Sequence, residues 1–225
     1  MQKTLRCIHR HTIDEHPQCF RRGLVREPIT EKQWTKELGN PWYTLPGTRI
    51  GYFDIETDGL QVDFSTMLSW AIKEKGGKTV TSLILKEDLF SGLSDRNLVE
   101  SLLEEMEKYD ILIGYYSDRF DMPYIRAKAL HHELDFPGYG ELYHWDLYWT
   151  IRGKLNLSRN SLDNACDYLG IKGKTPIEKD VWRRAKYADP SALKQVLAHN
   201  IADVEILEKL HDRVEFSRKW IKRSV

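Results

Sequence analysis

The strongest chemical signal in the chain is a pair of carboxylates, followed along the sequence by two more. Asp54 and Glu56 lie two residues apart in the segment Phe-Asp-Ile-Glu-Thr, at the polar end of a short apolar run. Side chains at positions i and i+2 of a strand share one face, so this pair can bind one metal ion. Asp121 lies in Phe-Asp-Met-Pro-Tyr and Asp203 in His-Asn-Ile-Ala-Asp. The four acidic residues together predict a site for divalent cations.

The chemistry that such a site supports is phosphodiester hydrolysis. Hard cations such as Mg²⁺ prefer oxygen ligands, and two ions about 3.5–4 Å apart can hold both the attacking and the leaving oxygen. The alternative is that Asp54 and Glu56 only end a strand and that Asp121 caps a helix, a common role for a single acidic residue. Because the set has four members, we favour a metal-dependent nuclease.

The order and spacing of these motifs resemble a known family. Phe-Asp-Ile-Glu-Thr, Phe-Asp-x-Pro-Tyr and His-Asn-x-x-Asp-Val are similar to the three sequence blocks of the DEDD (DnaQ-like) 3′ to 5′ exonucleases in the ribonuclease H-like superfamily. Residues 144–148 and 161–170 are similar to the segment between the second and third blocks in proofreading domains of family B polymerases. Residues 115–121 are similar to stand-alone predicted nucleases of this superfamily. The resemblance extends over residues 49–213 and implies an α/β fold with a mixed five-stranded sheet and flanking helices.

The resemblance also implies a mechanism with two Mg²⁺ or Mn²⁺ ions. Asp54 would bridge both ions, Glu56 and Asp203 would complete one ion site, and Asp121 would serve the other. His199 would orient or deprotonate the attacking water, since histidine exchanges protons near neutral pH.

The activity that the resemblance implies is 3′ to 5′ exonuclease cleavage of single-stranded or frayed DNA or RNA, as in DNA repair or replication. One alternative is a structure-selective endonuclease of the same fold. Another is a nucleic-acid-binding module without catalytic activity. Against this alternative, an anionic cluster that faces phosphate would not increase the affinity of a binding surface.

Two positions depart from the family pattern. Tyr116 stands where proofreading domains usually have Asn, so we expect a contact to the substrate backbone or to a metal-bound water to be missing or altered. His199 lies four residues before Asp203, the spacing of the tyrosine subclass, whereas the histidine subclass usually has five. Positions i and i+4 share a face of a helix, so His199 can still face the ions.

Aromatic and basic side chains near the acidic motifs are the candidates for binding the substrate. An unpaired base can stack on an aromatic ring for about 1–3 kcal/mol, and lysine or arginine can hold phosphates. The alternative for each of them is an ordinary place in the core or on the solvated surface. The candidate substrate-binding residues are Thr57, Tyr116, Phe120, Lys154 and Arg159.

Hydrophobic patterning predicts one α/β domain over residues 49–225. Two neighbouring strands are joined by a two-residue turn at Gly76-Gly77, and a helix capped by Ser94 carries an apolar stripe. Asp121 begins another helix, and Asp189-Pro190 begins the last long one. The predicted strands cover residues 49–56, 67–75, 78–86 and 111–115, and a further short helix runs from residue 160 or 161 to residue 169.

Residues 1–48 are predicted to form an appendage rich in cysteine and histidine. In an extended chain Cys7, His9 and His11 share a face, and a turn through His16-Pro17 can bring Cys19 back to them. Tetrahedral Zn²⁺ needs four of these five ligands, so we expect one structural zinc ion. The alternatives are a disulfide between Cys7 and Cys19, which a reducing compartment disfavours, and a disordered basic arm.

Composition is that of an ordinary globular protein. The 225 residues are 41% hydrophobic and 30% charged, enough for one substantial core. With 34 basic and 34 acidic residues the net charge is zero, so binding to nucleic acid must depend on local basic patches. No apolar run reaches membrane-spanning length and the start lacks a hydrophobic signal core, which predicts a cytoplasmic protein without membrane contact. A protein partner could dock on the appendage.

Overall fold

The computed structural model describes residues 6–7, 12, 25–26, 48–90, 94–137, 142–173 and 176–215. Within the predicted appendage, two short strands pair antiparallel, β1 (Arg6–Cys7) and β2 (Val25–Arg26). Cys7 is buried there. The other candidate zinc ligands, His9, His11, His16 and Cys19, lie outside the described residues, so the zinc site stays a prediction.

Five strands form one mixed sheet, which confirms the predicted fold class. Their order across the sheet is β5-β4-β3-β6-β7. The first two pairings are antiparallel, whereas β3 with β6 and β6 with β7 are parallel. Helices flank this sheet. The strands are β3 (Ile50–Thr57), β4 (Met67–Glu74), β5 (Thr79–Leu83), β6 (Ile111–Gly114) and β7 (Tyr143–Asp146).

The helices of the described segments follow the predicted order, with three additions. Asp189 and Ser161 accept the capping hydrogen bonds of their helices, from Ala192 and Asn164. None of the described helices is long and apolar enough to cross a membrane. The helices are α1 (Lys86–Leu89), α2 (Arg96–Met106), α3 (Asp121–His131), α4 (Leu147–Lys154), α5 (Leu162–Tyr168), α6 (Lys179–Ala185) and α7 (Pro190–Val214). Helices α1, α4 and α6 were not predicted.

Three local predictions were wrong. The hairpin loop is longer than two residues, because the N–H of Glu74 donates to the carbonyl of Lys78 at 3.0 Å. Strand β5 ends at Leu83, and Lys86 begins α1 instead of ending the strand. Ser94 has a φ of 47° and does not cap α2, which begins at Arg96.

Asp95, which directly precedes α2, makes tertiary contacts with its side chain and does not cap the helix. Asp95 is fully buried, and its carboxylate accepts hydrogen bonds from the Met67 N–H at 2.8 Å and from His132 Nε2 at 2.7 Å. Lys128 Nζ lies 2.9 Å from the same carboxylate and donates to the carbonyl of Ser65. Burial acts to raise the pKa of Asp95, but these donors outweigh it and hold the pKa below its ordinary value. A buried polar network therefore joins β4, α2 and α3.

Strand β3 divides its side chains between two hydrophobic clusters. Phe53 and Ile55 pack with α2 and α3 in one cluster, whereas Tyr52 belongs to the other, together with the C-terminal part of α7. Because strand side chains alternate between faces, Asp54 and Glu56 lie on the same face as Tyr52. The alternation therefore turns both carboxylates toward α7.

Candidate active site

Helix α7 carries the residues that face the two carboxylates of β3. Asn200 Nδ2 donates to Asp54 Oδ2 at 2.6 Å. His199 Nε2 lies 3.7 Å from Glu56 Oε1 and 3.8 Å from Asp203 Oδ2. The spacing of four residues between His199 and Asp203 puts both on one face of the helix, as predicted. The structure therefore brings together four of the five predicted catalytic residues between β3 and α7.

The fifth predicted residue, Asp121, contacts the backbone of β3. It is the first residue of α3, it is buried, and its Oδ1 accepts a hydrogen bond from the Ile55 N–H at 3.2 Å. Ile55 lies between Asp54 and Glu56 in sequence. Burial raises the pKa of Asp121 to about 7, against the lowering effect of backbone N–H donors and with a further upward contribution from Asp146.

The charges of the other three acidic side chains act on Asp54. Burial raises the pKa of Asp54 well above its ordinary value, and the charges of Glu56, Asp121 and Asp203 raise it further. The hydrogen bond from Asn200 acts in the opposite direction. Such mutual repulsion costs folding free energy, and a bound cation would relieve it.

The donor set has the chemistry of a Mg²⁺ or Mn²⁺ site, since carboxylate oxygens are the ligands that hard cations prefer. Among the residues that the structure describes, no three acidic, histidine or cysteine side chains are already arranged as a ligand cluster for one ion. Instead, the carboxylates of Asp54 and Asp121 accept hydrogen bonds from Asn200 and Ile55. The set therefore fits such ions by charge and ligand type, and the side chains would have to adjust their rotamers to coordinate them.

The aromatic candidates for substrate binding differ in exposure. Tyr116 is 47% exposed and has a φ of 60°, a left-handed conformation that holds it in the tight loop before α3. Phe120 is half-buried against the core, with its ring centroid 5.7 Å from that of Tyr124. Tyr116 therefore offers a free ring surface, whereas Phe120 offers much less.

The polar candidates lie on different elements. Thr57 ends β3, and its Oγ1 donates to the carbonyl of Gly59 at 2.7 Å, so it shapes the loop after the acidic pair. Lys154 ends α4 and Arg159 lies in the loop before α5, and both are exposed. Their contact with a substrate stays a prediction.

Asp146 is a residue of the site that sequence reasoning missed. It ends β7 and begins α4, and its buried carboxylate accepts hydrogen bonds from the N–H groups of Tyr116, Asp118 and Tyr148, at 2.7, 3.1 and 2.9 Å. Burial raises its pKa, and these three donors act against that effect. An Asp before a helix is a capping signal that could have revealed it.

Asn200 is the second missed residue. It is fully buried in α7, accepts a hydrogen bond from Ser69 Oγ at 3.4 Å and donates to Asp54. A buried amide is costly unless its groups are paired, so this position fixes the orientation of the Asp54 carboxylate. The signal in the sequence was a polar residue among the core-facing positions of the helix.

The mixed sheet, with its acidic cluster between β3 and α7, defines an α/β domain of the ribonuclease H type. Residues 51–215 match the family model described as the RNase H superfamily. The chain belongs to the RNase H superfamily, and its fold is that of an RNase H-like nuclease.

The chain is similar in structure to the family B DNA polymerase from the hyperthermophilic archaeon Pyrobaculum calidifontis, with a TM-score of 0.60 and 19% sequence identity. The similarity covers 76% of this chain and 25% of that polymerase, so the chain spans about a quarter of the polymerase's length. At this identity the likeness shows the fold alone. No curated protein matches the sequence.

Proposed function

We propose that the protein is a metal-dependent 3′ to 5′ exonuclease that hydrolyses phosphodiester bonds of single-stranded or frayed DNA or RNA. The observation that carries this proposal is the convergence of Asp54, Glu56, His199 and Asp203 between β3 and α7, with Asp121 bound to the backbone of β3. Nuclease chemistry follows from the carboxylates, whereas the 3′ to 5′ direction rests on the DEDD motif pattern.

In the proposed mechanism, Asp54, Glu56, Asp121 and Asp203 would hold two Mg²⁺ or Mn²⁺ ions, which when bound would supply positive charge to the attacking and leaving oxygens. The chain's own contribution is to orient these carboxylates. Asn200 holds the carboxylate of Asp54, so that its oxygens are aimed before substrate arrives.

His199 is proposed to accept a proton from the attacking water. Its Nε2 lies within 4 Å of carboxylate oxygens on both β3 and α7, which places the imidazole between Glu56 and Asp203. A positioned general base contributes about 10²- to 10⁴-fold to a rate.

The test of this function is the cleavage of single-stranded DNA and RNA oligonucleotides that carry a label at the 5′ end. In Mg²⁺ or Mn²⁺ we expect a ladder of labelled products that shortens from the 3′ end, because a 3′ to 5′ exonuclease removes terminal nucleotides one after another. The products are resolved on a denaturing gel, with the Asp54→Ala variant as the control for a contaminating nuclease.

Three results would contradict the proposed function. One discrete internal product would indicate the structure-selective endonuclease. Binding of the oligonucleotide without any cleavage would indicate a nucleic-acid-binding module without catalytic activity. A ladder of equal intensity with Asp54→Ala would assign the cleavage to another protein.

A further inference from the structure

Three aromatic side chains form a connected surface patch beside the second acidic motif. The ring centroids of Tyr116 and Tyr148 are 4.8 Å apart, and those of Tyr148 and Trp149 are 4.9 Å apart, each pair edge to face. Tyr116 is 47% exposed and Trp149 is 38% exposed. We call Tyr116, Tyr148 and Trp149 the aromatic platform. It presents ring surface to solvent at the β7 edge of the sheet.

Two exposed arginines border the aromatic platform. The guanidinium carbon of Arg119 lies 5.7 Å from the centroid of the Trp149 ring. That of Arg152 lies 5.7 Å from the Trp149 ring and 6.0 Å from the Tyr148 ring. A guanidinium that stacks on a ring keeps N–H groups at its edge for phosphate. Aromatic rings and positive charges therefore lie next to each other, in the way that the bases and phosphates of a single strand do.

Polar contacts hold the loop that carries Tyr116 and Arg119. Ser117 Oγ lies 2.8 Å from His144 Nε2 in a buried hydrogen bond, and His144 Nδ1 lies 3.0 Å from Asp118 Oδ1. The interaction with His144 is the main reason that the pKa of Asp118 is lowered. The Ser117 side chain is fully buried and cannot attack an external substrate. These contacts therefore fix the loop from which Tyr116 and Arg119 extend.

One buried carboxylate joins the aromatic platform to the acidic cluster. Asp146 accepts the N–H groups of both Tyr116 and Tyr148. The carbonyl of Tyr116 accepts the N–H of Phe120 at 3.2 Å, and Phe120 directly precedes Asp121. A strand bound on the platform therefore lies next to the second acidic motif.

We propose that the aromatic platform, with Arg119 and Arg152, binds the unpaired bases and phosphates of a single-stranded nucleic acid. This inference rests on the proposed function, to which it adds the surface that holds the single strand. Bases inside a duplex are stacked on one another and offer no face to these rings, so the platform selects single strands.

The test is the equilibrium binding of a fluorescent oligothymidylate to the full chain in chelator, measured by fluorescence anisotropy. Loss of one stacked base predicts that Trp149→Ala weakens binding about 5- to 150-fold. The variant Trp149→Phe, which keeps a ring, retains most of the affinity. The matched control is Phe90→Ala, because Phe90 is 65% exposed and follows β5, at the opposite edge of the sheet.

Arg152 gives an independent readout. Arg152→Ala removes one phosphate contact, so the slope of log K against log salt falls by about 0.7.

The inference is overturned if Trp149→Ala binds within twofold of wild type, or if Phe90→Ala loses as much affinity. It is also overturned if a DNA duplex binds as tightly as the single strand and is equally sensitive to Trp149→Ala. Because binding is measured without divalent ions, the result is independent of cleavage. A protein that binds through the platform but cleaves nothing would contradict the proposed function alone.

Discussion

The Asp54→Asn variant is expected to lose at least about 10³-fold in cleavage rate while melting at no lower temperature than wild type in chelator. Charge stabilisation of the transition state by bound cations contributes several kcal/mol, and each 1.36 kcal/mol is tenfold in rate. In the folded protein the charge of Asp54 is repelled by Glu56, Asp121 and Asp203. Its removal therefore relieves repulsion, and the amide oxygen can still accept the bond from Asn200.

The measurements are single-turnover rates in Mg²⁺ and melting temperatures in chelator. Asp63→Asn is the matched control, because Asp63 is an exposed aspartate in the loop between β3 and β4. His199→Ala removes a proton acceptor and no carboxylate, so its loss should be about 10²-fold or more. Retention of more than a tenth of the rate by Asp54→Asn would contradict its metal-binding role. A large fall in its melting temperature would make Asp54 a structural residue.

Replacement of Asp95 by alanine is expected to destabilise the protein by about 3–5 kcal/mol, because removal of one partner leaves the charge of Lys128 buried without compensation. The Met67 N–H and His132 lose their acceptor in the same change. The free energy of unfolding is measured by denaturant titration. The control is Glu100→Ala, which breaks an exposed ion pair with Arg96 and should cost less than about 1 kcal/mol.

The stabilisation from Asp95 should also depend on pH in a defined direction. Its folded pKa is held below the ordinary value, so its contribution is complete above the unfolded pKa of about 4 and is lost as pH falls through the folded pKa. The difference in unfolding free energy between wild type and Asp95→Asn should therefore narrow in acid. A difference that stays constant down to acid unfolding would contradict the ion pairing of Asp95.

The residues that sequence reasoning located best are those with a local periodic signal. The alternation in β3 predicted that Asp54 and Glu56 share a face, and the helical spacing of His199 and Asp203 predicted a second shared face. Both predictions describe neighbours within one element. The mixed order of the sheet followed from the hairpin and from the family resemblance, and it is confirmed.

The features that sequence reasoning missed depend on contacts between distant segments. Strand β7 has four residues, too few for a periodic pattern, and its pairing with β6 is what makes it a strand. Ser94 was predicted as a cap from its residue type, but the neighbouring Asp95 is held by Lys128 of α3 and by His132, which directly follows α3. The aromatic platform brings together the loop before α3 and the start of α4, which lie about thirty residues apart in the sequence.

The most direct test of the central claim is a crystal structure of the protein soaked in Mn²⁺, with anomalous difference density to locate the ions. The four carboxylates should bind Mn²⁺ with an oxygen of Asp54 as a ligand, and Asp54→Asn crystals should lose that density. Wild-type crystals without Mn²⁺ at Asp54, or with Mn²⁺ only at sites that exclude Asp54 and Asp203, would contradict a metal-dependent active site between β3 and α7.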